Sequence, residues 1–154
     1  MKLVFDTSAL LNLIRGIGSK ALNYLKGNYI LTLTPYEVGN ALWREAILIK
    51  RISIDEALSL LDLITNVYRI LNIVSPHNTL LILKLAHELK VTYYDSSYIV
   101  ASYELDAGLV TDDEKLRKRI RSDEKRLIKI LGKKINLYST RELIKANKDN
   151  PTLS

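Results

Sequence analysis

The fold is decided by one stretch near the start of the sequence, Lys2-Leu3-Val4-Phe5-Asp6-Thr7-Ser8-Ala9-Leu10-Leu11. Its apolar run, Leu3 to Phe5, is too short and too apolar to face water, which is typical of a central parallel strand covered by helices. The run ends at Asp6 and continues directly into a helical pattern. Because ligands of parallel sheets bind at the carboxyl ends of the strands, Asp6 is a candidate metal ligand.

Strand-like and helix-like segments alternate along the rest of the chain. Further strands are predicted at residues 29–33, 71–74, 109–111 and 135–138, with helical patterns between them. This alternation predicts an α/β fold with a central, mostly parallel sheet flanked by helices. Residues 1–146 are predicted to form a single domain that ends in a helix from Thr140, and residues 147–154 are predicted to be a frayed tail.

Three further places bring acids to junctions between a strand and a helix. Glu37 follows Thr34, which is predicted to be an N-cap, and Asp95 is itself predicted to be the N-cap of a helix. Asp112 and Asp113 follow the short strand at 109–111. Taken singly, each acid is explained by helix capping, an effect worth about 1 kcal/mol.

Taken together, these acids exceed what capping requires, because a Ser or Thr stands within three residues of Asp6, Glu37 and Asp113. Carboxylates that share one edge of a sheet repel each other unless they are protonated or bind a cation. Mg²⁺ or Mn²⁺ prefers such oxygen ligands and keeps several waters. A site of this kind lowers the pKa of a bound water and stabilises charge on a phosphodiester, so the pattern predicts nuclease chemistry.

Four motifs in this order resemble a PIN domain. They are Val4-Phe5-Asp6-Thr7-Ser8-Ala9-Leu10, Pro35-Tyr36-Glu37-Val38, Tyr94-Asp95-Ser96-Ser97-Tyr98-Ile99-Val100-Ala101 and Leu109-Val110-Thr111-Asp112-Asp113-Glu114-Lys115-Leu116. The size of the chain is similar, more narrowly, to that of the VapC-like toxin ribonucleases of type II toxin–antitoxin modules. The resemblance covers residues 1 to about 140 and implies a PIN-like three-layer sandwich.

The resemblance also implies a function and a set of site residues. The function is that of a Mg²⁺- or Mn²⁺-dependent endoribonuclease, commonly a homodimer, which cuts structured RNA and is inhibited by a cognate antitoxin. The acids that carry over are Asp6, Glu37, Asp95 and Asp113. Asp112 falls on the variable position of the family's Thr-x-Asp motif and is the second choice, whereas Thr111 matches the hydroxyl of that motif. Thr7 and Ser8 match the small polar pair after the first acid.

Positive charge is concentrated between residues 115 and 134, where ten Lys or Arg residues stand against two acids. This is either a footprint for RNA phosphates or a solvated helix face. If a single helix runs to Leu131, one of its faces is predicted to present to RNA the side chains of Lys118, Arg121, Lys125 and Lys129. Asn40 and Arg44, one and two turns beyond Glu37, are further candidates to orient a ligand or contact phosphate, with a surface ion pair as the alternative for Arg44.

The sequence lacks the residues that two other classes of Mg²⁺-binding α/β protein require. A receiver-like signalling module needs a phosphoacceptor Asp after a middle strand, and a haloacid-dehalogenase-type phosphatase needs a second Asp two residues after Asp6. No Gly-rich phosphate loop is present. Two alternatives stay open within the PIN fold: a housekeeping RNA-processing nuclease, and an inactive scaffold that binds RNA or protein.

The composition indicates a cytoplasmic protein. The sequence contains no Cys, which rules out disulfides and thiolate zinc sites. Its apolar runs are far shorter than the ~20 residues that a membrane span requires. The N-terminal residues show no signal-peptide pattern.

Overall fold

The computed structural model describes the backbone of residues 1–149 and the side chains of residues 1–146. The strands in this part of the chain are β1 (Leu3–Phe5), β2 (Tyr29–Leu31), β3 (Asn72–Val74), β4 (Gly108–Val110) and β5 (Leu137–Tyr138). The α-helices are α1 (Thr7–Ile17), α2 (Leu22–Leu25), α3 (Thr34–Trp43), α4 (Ile54–Val67), α5 (Thr79–Leu89), α6 (Tyr93–Glu104), α7 (Glu114–Ser122), α8 (Glu124–Leu131) and α9 (Thr140–Asp149). None of the described helices is long and apolar enough to cross a membrane.

The strands form one parallel sheet in the order β3-β2-β1-β4-β5. The opening stretch therefore supplies the central strand, as its apolar character predicts. It pairs with β2 on one side and with β4 on the other, where Leu3 stands opposite Gly108. The backbone is closely covered there, because a Cβ atom on Gly108 would lie 2.8 Å from a ring carbon of Tyr138. All five strands point the same way, so their carboxyl ends meet at one edge.

Side chains along β1, β2 and β4 alternate between two buried clusters, one on each face of the sheet. Leu3 and Phe5 pack with residues of α1, α3 and α4, whereas Val4 packs with residues of α5, α6, α7 and α8. In β4, Val110 joins the first cluster and Leu109 the second. The molecule is thus a three-layer α/β sandwich with helices on both faces of a parallel sheet, which confirms the predicted fold class.

The basic segment after Asp113 is not the single helix predicted from its sequence. It forms two helices, α7 and α8, because the chain leaves helical geometry at Asp123, where φ is −103° and ψ is 18°. Short polar side chains such as Ser122 and Asp123 compete for backbone hydrogen bonds and so favour helix ends. Here the Ser122 hydroxyl donates a hydrogen bond of 3.0 Å to the carbonyl of Arg119.

The C-terminal helix is longer than predicted. Helix α9 ends at Asp149, so the backbone of residues 147–149, which was predicted to belong to the tail, continues the helix. The remainder of the predicted tail, residues 150–154, lies outside the described residues.

Candidate active site

Asp6 is the buried acid at the end of the central strand. It caps α1: its Oδ1 accepts hydrogen bonds of 2.8 Å from the Ala9 N–H and 2.7 Å from the Ser8 hydroxyl. Its own N–H donates to the Val110 carbonyl, which ties it to β4. The residue is only 6% exposed, so its carboxylate is held rigidly among neutral partners.

This environment opposes ionisation of Asp6. Burial raises its pKa from 3.8 to about 6, and the nearby Asp112 carboxylate raises it slightly further. The hydroxyls of Thr111 and Ser8 and the N–H of Ala9 lower the pKa, but they do not offset the loss of hydration. Near neutral pH, Asp6 is therefore a carboxylate that a cation would stabilise.

Glu37 is held in the first turn of α3 by a cluster of hydroxyl groups. Its Oε1 accepts hydrogen bonds of 2.9 Å from Thr7 and 2.6 Å from the phenol of Tyr98. Tyr98 is 2% exposed, and burial together with the charge of Glu37 raises its pKa well above its usual range, so the phenol keeps its proton and donates. These contacts connect the end of β1, the start of α3 and the first turns of α6.

Thr34 belongs to this hydroxyl cluster and is not the predicted N-cap of α3. Its hydroxyl accepts a hydrogen bond from the Leu31 N–H at 3.0 Å and lies 2.8 Å from the Tyr98 phenol. Tyr98 donates its proton to Glu37, so Thr34 donates to Tyr98. The side chain is fully buried, and the burial of its only hydroxyl among these partners explains why it does not cap the helix.

Asp95 lies in the first turn of α6, three positions after the N-cap, and is not the N-cap itself. Thr92 is the N-cap instead, and its hydroxyl accepts a hydrogen bond of 3.0 Å from the Asp95 N–H. The spacing Thr92-Tyr93-Tyr94-Asp95 is the signal for this arrangement, because an N-cap Thr is often followed by an acid three residues on. Capping therefore uses the backbone of Asp95 and leaves its carboxylate for another role.

Asp113 is the N-cap of α7 at the end of the β4 segment. Its Oδ1 accepts a hydrogen bond of 2.9 Å from the Leu116 N–H, and its own N–H donates to the Thr111 hydroxyl at 3.1 Å. Asp95 and Asp113 line the same open cleft, which has a volume of about 700 Å³. These two acids are thus brought together, although they are separated by 18 positions in the sequence.

Asp112 serves a different purpose from its neighbour. Its Oδ1 accepts from the Thr140 N–H at 2.8 Å, and its Oδ2 accepts from the Thr140 hydroxyl at 2.7 Å and from Asn12 at 3.0 Å. Its own N–H donates to the Ser8 hydroxyl at 2.9 Å. Asp112 therefore connects the start of α9 and the side of α1 to the end of β4 by hydrogen bonds.

The acids fit a hard divalent cation through their donor chemistry. Mg²⁺ is usually held by one or two carboxylates, with water completing its shell, and Asp95 and Asp113 supply two at one cleft. Among the described residues, no three Asp, Glu or His side chains stand close enough together to hold one ion. The expectation that four acids gather around one point is not met, because Asp6 and Glu37 are turned toward the neutral donors described above.

Comparison with solved structures identifies the fold. The chain is similar to PAE2754 from Pyrobaculum aerophilum, a PIN-domain protein, with 25% identity and a TM-score of 0.66 over 86% of this chain and 97% of that one. The fold is that of a PIN domain. The chain is also similar in fold to VapBC-1 from nontypeable Haemophilus influenzae, with 17% identity and a TM-score of 0.56 over 92% of this chain and 99% of that one. No family model and no curated protein sequence matches the chain.

Within this PIN fold, the basic side chains predicted to contact RNA are divided between two helices. Lys118 lines the cleft that holds Asp95 and Asp113, whereas Arg121 pairs with Glu142 of α9 at 3.1 Å. Lys125 and Lys129 lie on α8 and are not among the residues that line the cleft. Asn40 is exposed on α3, and Arg44 is exposed on the π-helical turn that follows it (Arg44–Leu48).

Sequence reasoning missed three basic residues that the PIN fold brings to the cleft. They are Lys90, Lys115 and Arg119. Lys115 and Arg119 belong to the basic segment. The helix end at Ser122 separates them from the basic residues of α8, and short polar residues at 122 and 123 are the sequence signal for that end. Nothing in the sequence marks Lys90, which reaches the cleft from the end of α5.

Proposed function

We propose that the chain is a metal-dependent endoribonuclease of the VapC type, the toxin of a toxin–antitoxin pair. The observation that carries the proposal is the cleft that Asp95 and Asp113 share in a PIN-type fold, where Asp113 follows the carboxyl end of β4. Mg²⁺ or Mn²⁺ is the implied cofactor, and Asp95 and Asp113 would hold it. When bound, such an ion supplies an activated water and stabilises negative charge on the phosphate.

The remaining site residues prepare this edge for the reaction. Thr7 and Tyr98 both donate to Oε1 of Glu37, which keeps that carboxylate in one orientation. Asp6 adds a buried carboxylate whose charge favours the arrival of a cation, because its neutral neighbours satisfy it only in part. Thr111 supports both Asp6 and the backbone of Asp113.

An exposed apolar surface supports the proposed protein partners. The end of α3, the π-helical turn with the residue that follows it, and the start of α4 carry six large apolar side chains that are each about half exposed. They are Trp43, Ile47, Leu48, Ile49, Ile54 and Leu58. A surface with this many large apolar side chains is typical of an interface. It suits an inhibiting antitoxin or a second copy of the chain, which are the partners that the VapC type implies, and these proteins would act in the cytoplasm.

The direct test is cleavage of a labelled structured RNA by the purified protein. We expect cleavage with Mg²⁺ or Mn²⁺, none after chelation with EDTA, and recovery when the metal is added back. This cycle separates the proposed activity from that of contaminating ribonucleases that need no metal. Cleavage that persists in EDTA, or no cleavage with either metal, would contradict the proposal.

Substitution of the two adjacent acids separates their roles. Asp113→Asn is expected to lower the cleavage rate about tenfold or more with little loss of stability, because Asn still caps α7. Asp112→Asn is expected to lower the free energy of unfolding by about 1–3 kcal/mol, since it weakens the hydrogen bonds to Thr140 and Asn12. Urea denaturation and cleavage assays measure the two effects. A larger loss of cleavage for folded Asp112→Asn than for Asp113→Asn would reverse the assignment.

A further inference from the structure

The cleft that holds Asp95 and Asp113 carries more positive than negative charge. Its walls come from the end of α5, the start of α6 and one side of α7. Two acids, Asp95 and Asp113, face four basic side chains, which are Lys90, Lys115, Lys118 and Arg119. The N-termini of α6 and α7 lie at the same cleft, and the aligned peptide dipoles of both helices add positive potential there. The cleft therefore attracts anions along the wall next to its carboxylates.

Lys90 occupies a backbone position that favours glycine. It is the C-cap of α5 in the left-handed region, with φ 51° and ψ 47°. A residue other than glycine or asparagine is strained there. Throughout the described part of the chain, no carboxylate lies within ion-pair distance of its ammonium group, so an internal salt bridge does not explain the lysine. Its ammonium group remains available at the cleft.

The three basic residues on α7 are also available to a ligand. Lys115 has no ion-pair partner among the side chains of residues 1–146. Lys118 lies 3.9 Å from Glu114 and is 82% exposed, and Arg119 lies 3.6 Å from Asp123. Pairs of this kind within one exposed helix contribute little stability, so a ligand phosphate can replace them.

We propose that Lys90, Lys115, Lys118 and Arg119 form a binding subsite for the phosphate backbone of an RNA strand, next to the acids. This inference rests on the proposed function and adds where the strand is held. Carboxylates alone repel RNA, and the subsite offsets that repulsion by binding phosphates that flank the one at Asp95 and Asp113. Because its contacts are ammonium and guanidinium groups, the subsite holds the backbone without reading base sequence.

The competing location is helix α8, where Lys125 and Lys129 are equally basic and exposed. Two double variants that remove the same amount of charge provide a matched comparison. The cleft variant carries Lys90→Gln and Lys115→Gln, and the α8 variant carries Lys125→Gln and Lys129→Gln. Binding is measured by the fluorescence anisotropy of a labelled oligouridine of about ten nucleotides. EDTA is present throughout, so that binding is read without cleavage and without metal.

We expect the cleft variant to bind the oligouridine about tenfold more weakly at 0.1 M salt. Its slope of log affinity against log salt should fall by about 1.4, because each lost contact to a single strand removes about 0.7. The α8 variant should keep the affinity and the slope of the wild type. Equal losses in both variants, or a larger loss in the α8 variant, would overturn the subsite, as would a wild type that does not bind.

Lys90→Gly separates binding from folding. Glycine relieves the left-handed strain, so the Tm should stay the same or rise while the affinity for oligouridine falls. A purely structural role for Lys90 predicts unchanged affinity, and that result would remove Lys90 from the subsite.

Metal-dependent cleavage is assayed separately on the wild type. If the binding assay supports the subsite but the wild type does not cleave RNA, only the proposed nuclease activity is contradicted. If the wild type cleaves RNA but the cleft and α8 variants bind oligouridine equally well, only the subsite is contradicted.

Discussion

Asp95→Asn is expected to lower the metal-dependent cleavage rate of RNA by about a hundredfold or more while leaving the protein folded. The substitution removes one of the two carboxylates at the cleft, and a bound metal ion supplies several kcal/mol of stabilisation at about 1.4 kcal/mol for each factor of ten in rate. Folding should be little affected, because the backbone N–H of Asp95 makes the capping contact with Thr92. The lost charge near the helix N-terminus costs only about 0.3–1 kcal/mol.

Glu114→Gln is the matched control for Asp95→Asn. Glu114 also places a carboxylate in the first turn of a helix, but it is exposed and pairs only with Lys118 at 3.9 Å. Its substitution should change the cleavage rate by less than about threefold. The catalytic interpretation fails if Asp95→Asn cuts RNA as fast as the wild type, or if Glu114→Gln loses as much activity.

Asp6→Asn is expected to have opposite effects on stability and activity. Asparagine can still accept the hydrogen bonds from Ala9 and Ser8, but it carries no buried charge. For the metal-free protein at pH 7 to 8, the free energy of unfolding should rise by up to about 3 kcal/mol. This value corresponds to the pKa difference between 3.8 and about 6, at about 1.4 kcal/mol for each pKa unit. Metal-dependent cleavage should fall with the loss of the carboxylate.

The pH dependence of this gain follows from the direction of the pKa shift. The folded protein binds the Asp6 proton more tightly than the unfolded chain does, so the wild type loses stability as the pH rises from about 4 to about 6. The advantage of Asp6→Asn should therefore be absent below pH 4 and complete above pH 6. Urea denaturation in EDTA across this range measures it. The exposed acid Asp55 provides a control, since Asp55→Asn should show no such gain.

An equal or lower stability of Asp6→Asn at pH 8 would show that the Asp6 carboxylate carries no burial penalty. Adding Mg²⁺ gives a second comparison. A cation that binds beside Asp6 in the folded protein stabilises the wild type by mass action, so the difference between wild type and variant should shrink with metal concentration.

The central strand and the strand-to-helix edge were predictable because they depend on local patterns. The apolar run before Asp6 leaves few options for a strand of three residues, and it is central in the sheet as expected. Fold class follows from the same alternation of segments. The placement of Asp113 at a helix start was also local information, since an acid after a short strand favours an N-cap.

The organisation of the site depended on contacts that no local pattern contains. Asp112 and Asp113 look alike in the sequence, whereas in the structure Asp112 accepts hydrogen bonds from the distant residues Asn12 and Thr140. Likewise, Tyr98 and Thr34 form their hydrogen bond across 64 positions of the chain, and that contact removes Thr34 from its expected capping role. Lys90 reaches the cleft only because α5 packs against α6.

The position of β1 in the middle of the sheet also determines when the site can form during synthesis. Strand β1 is made early, but its partner β4 spans Gly108–Val110, so Asp6 cannot be enclosed until more than two thirds of the 154 residues have been made. Pairings between such distant segments close slowly. A ribosome-bound chain of residues 1–107 lacks both Thr111 and Asp113. The proposed nuclease site therefore cannot form on a nascent chain until more than two thirds of these residues have been made.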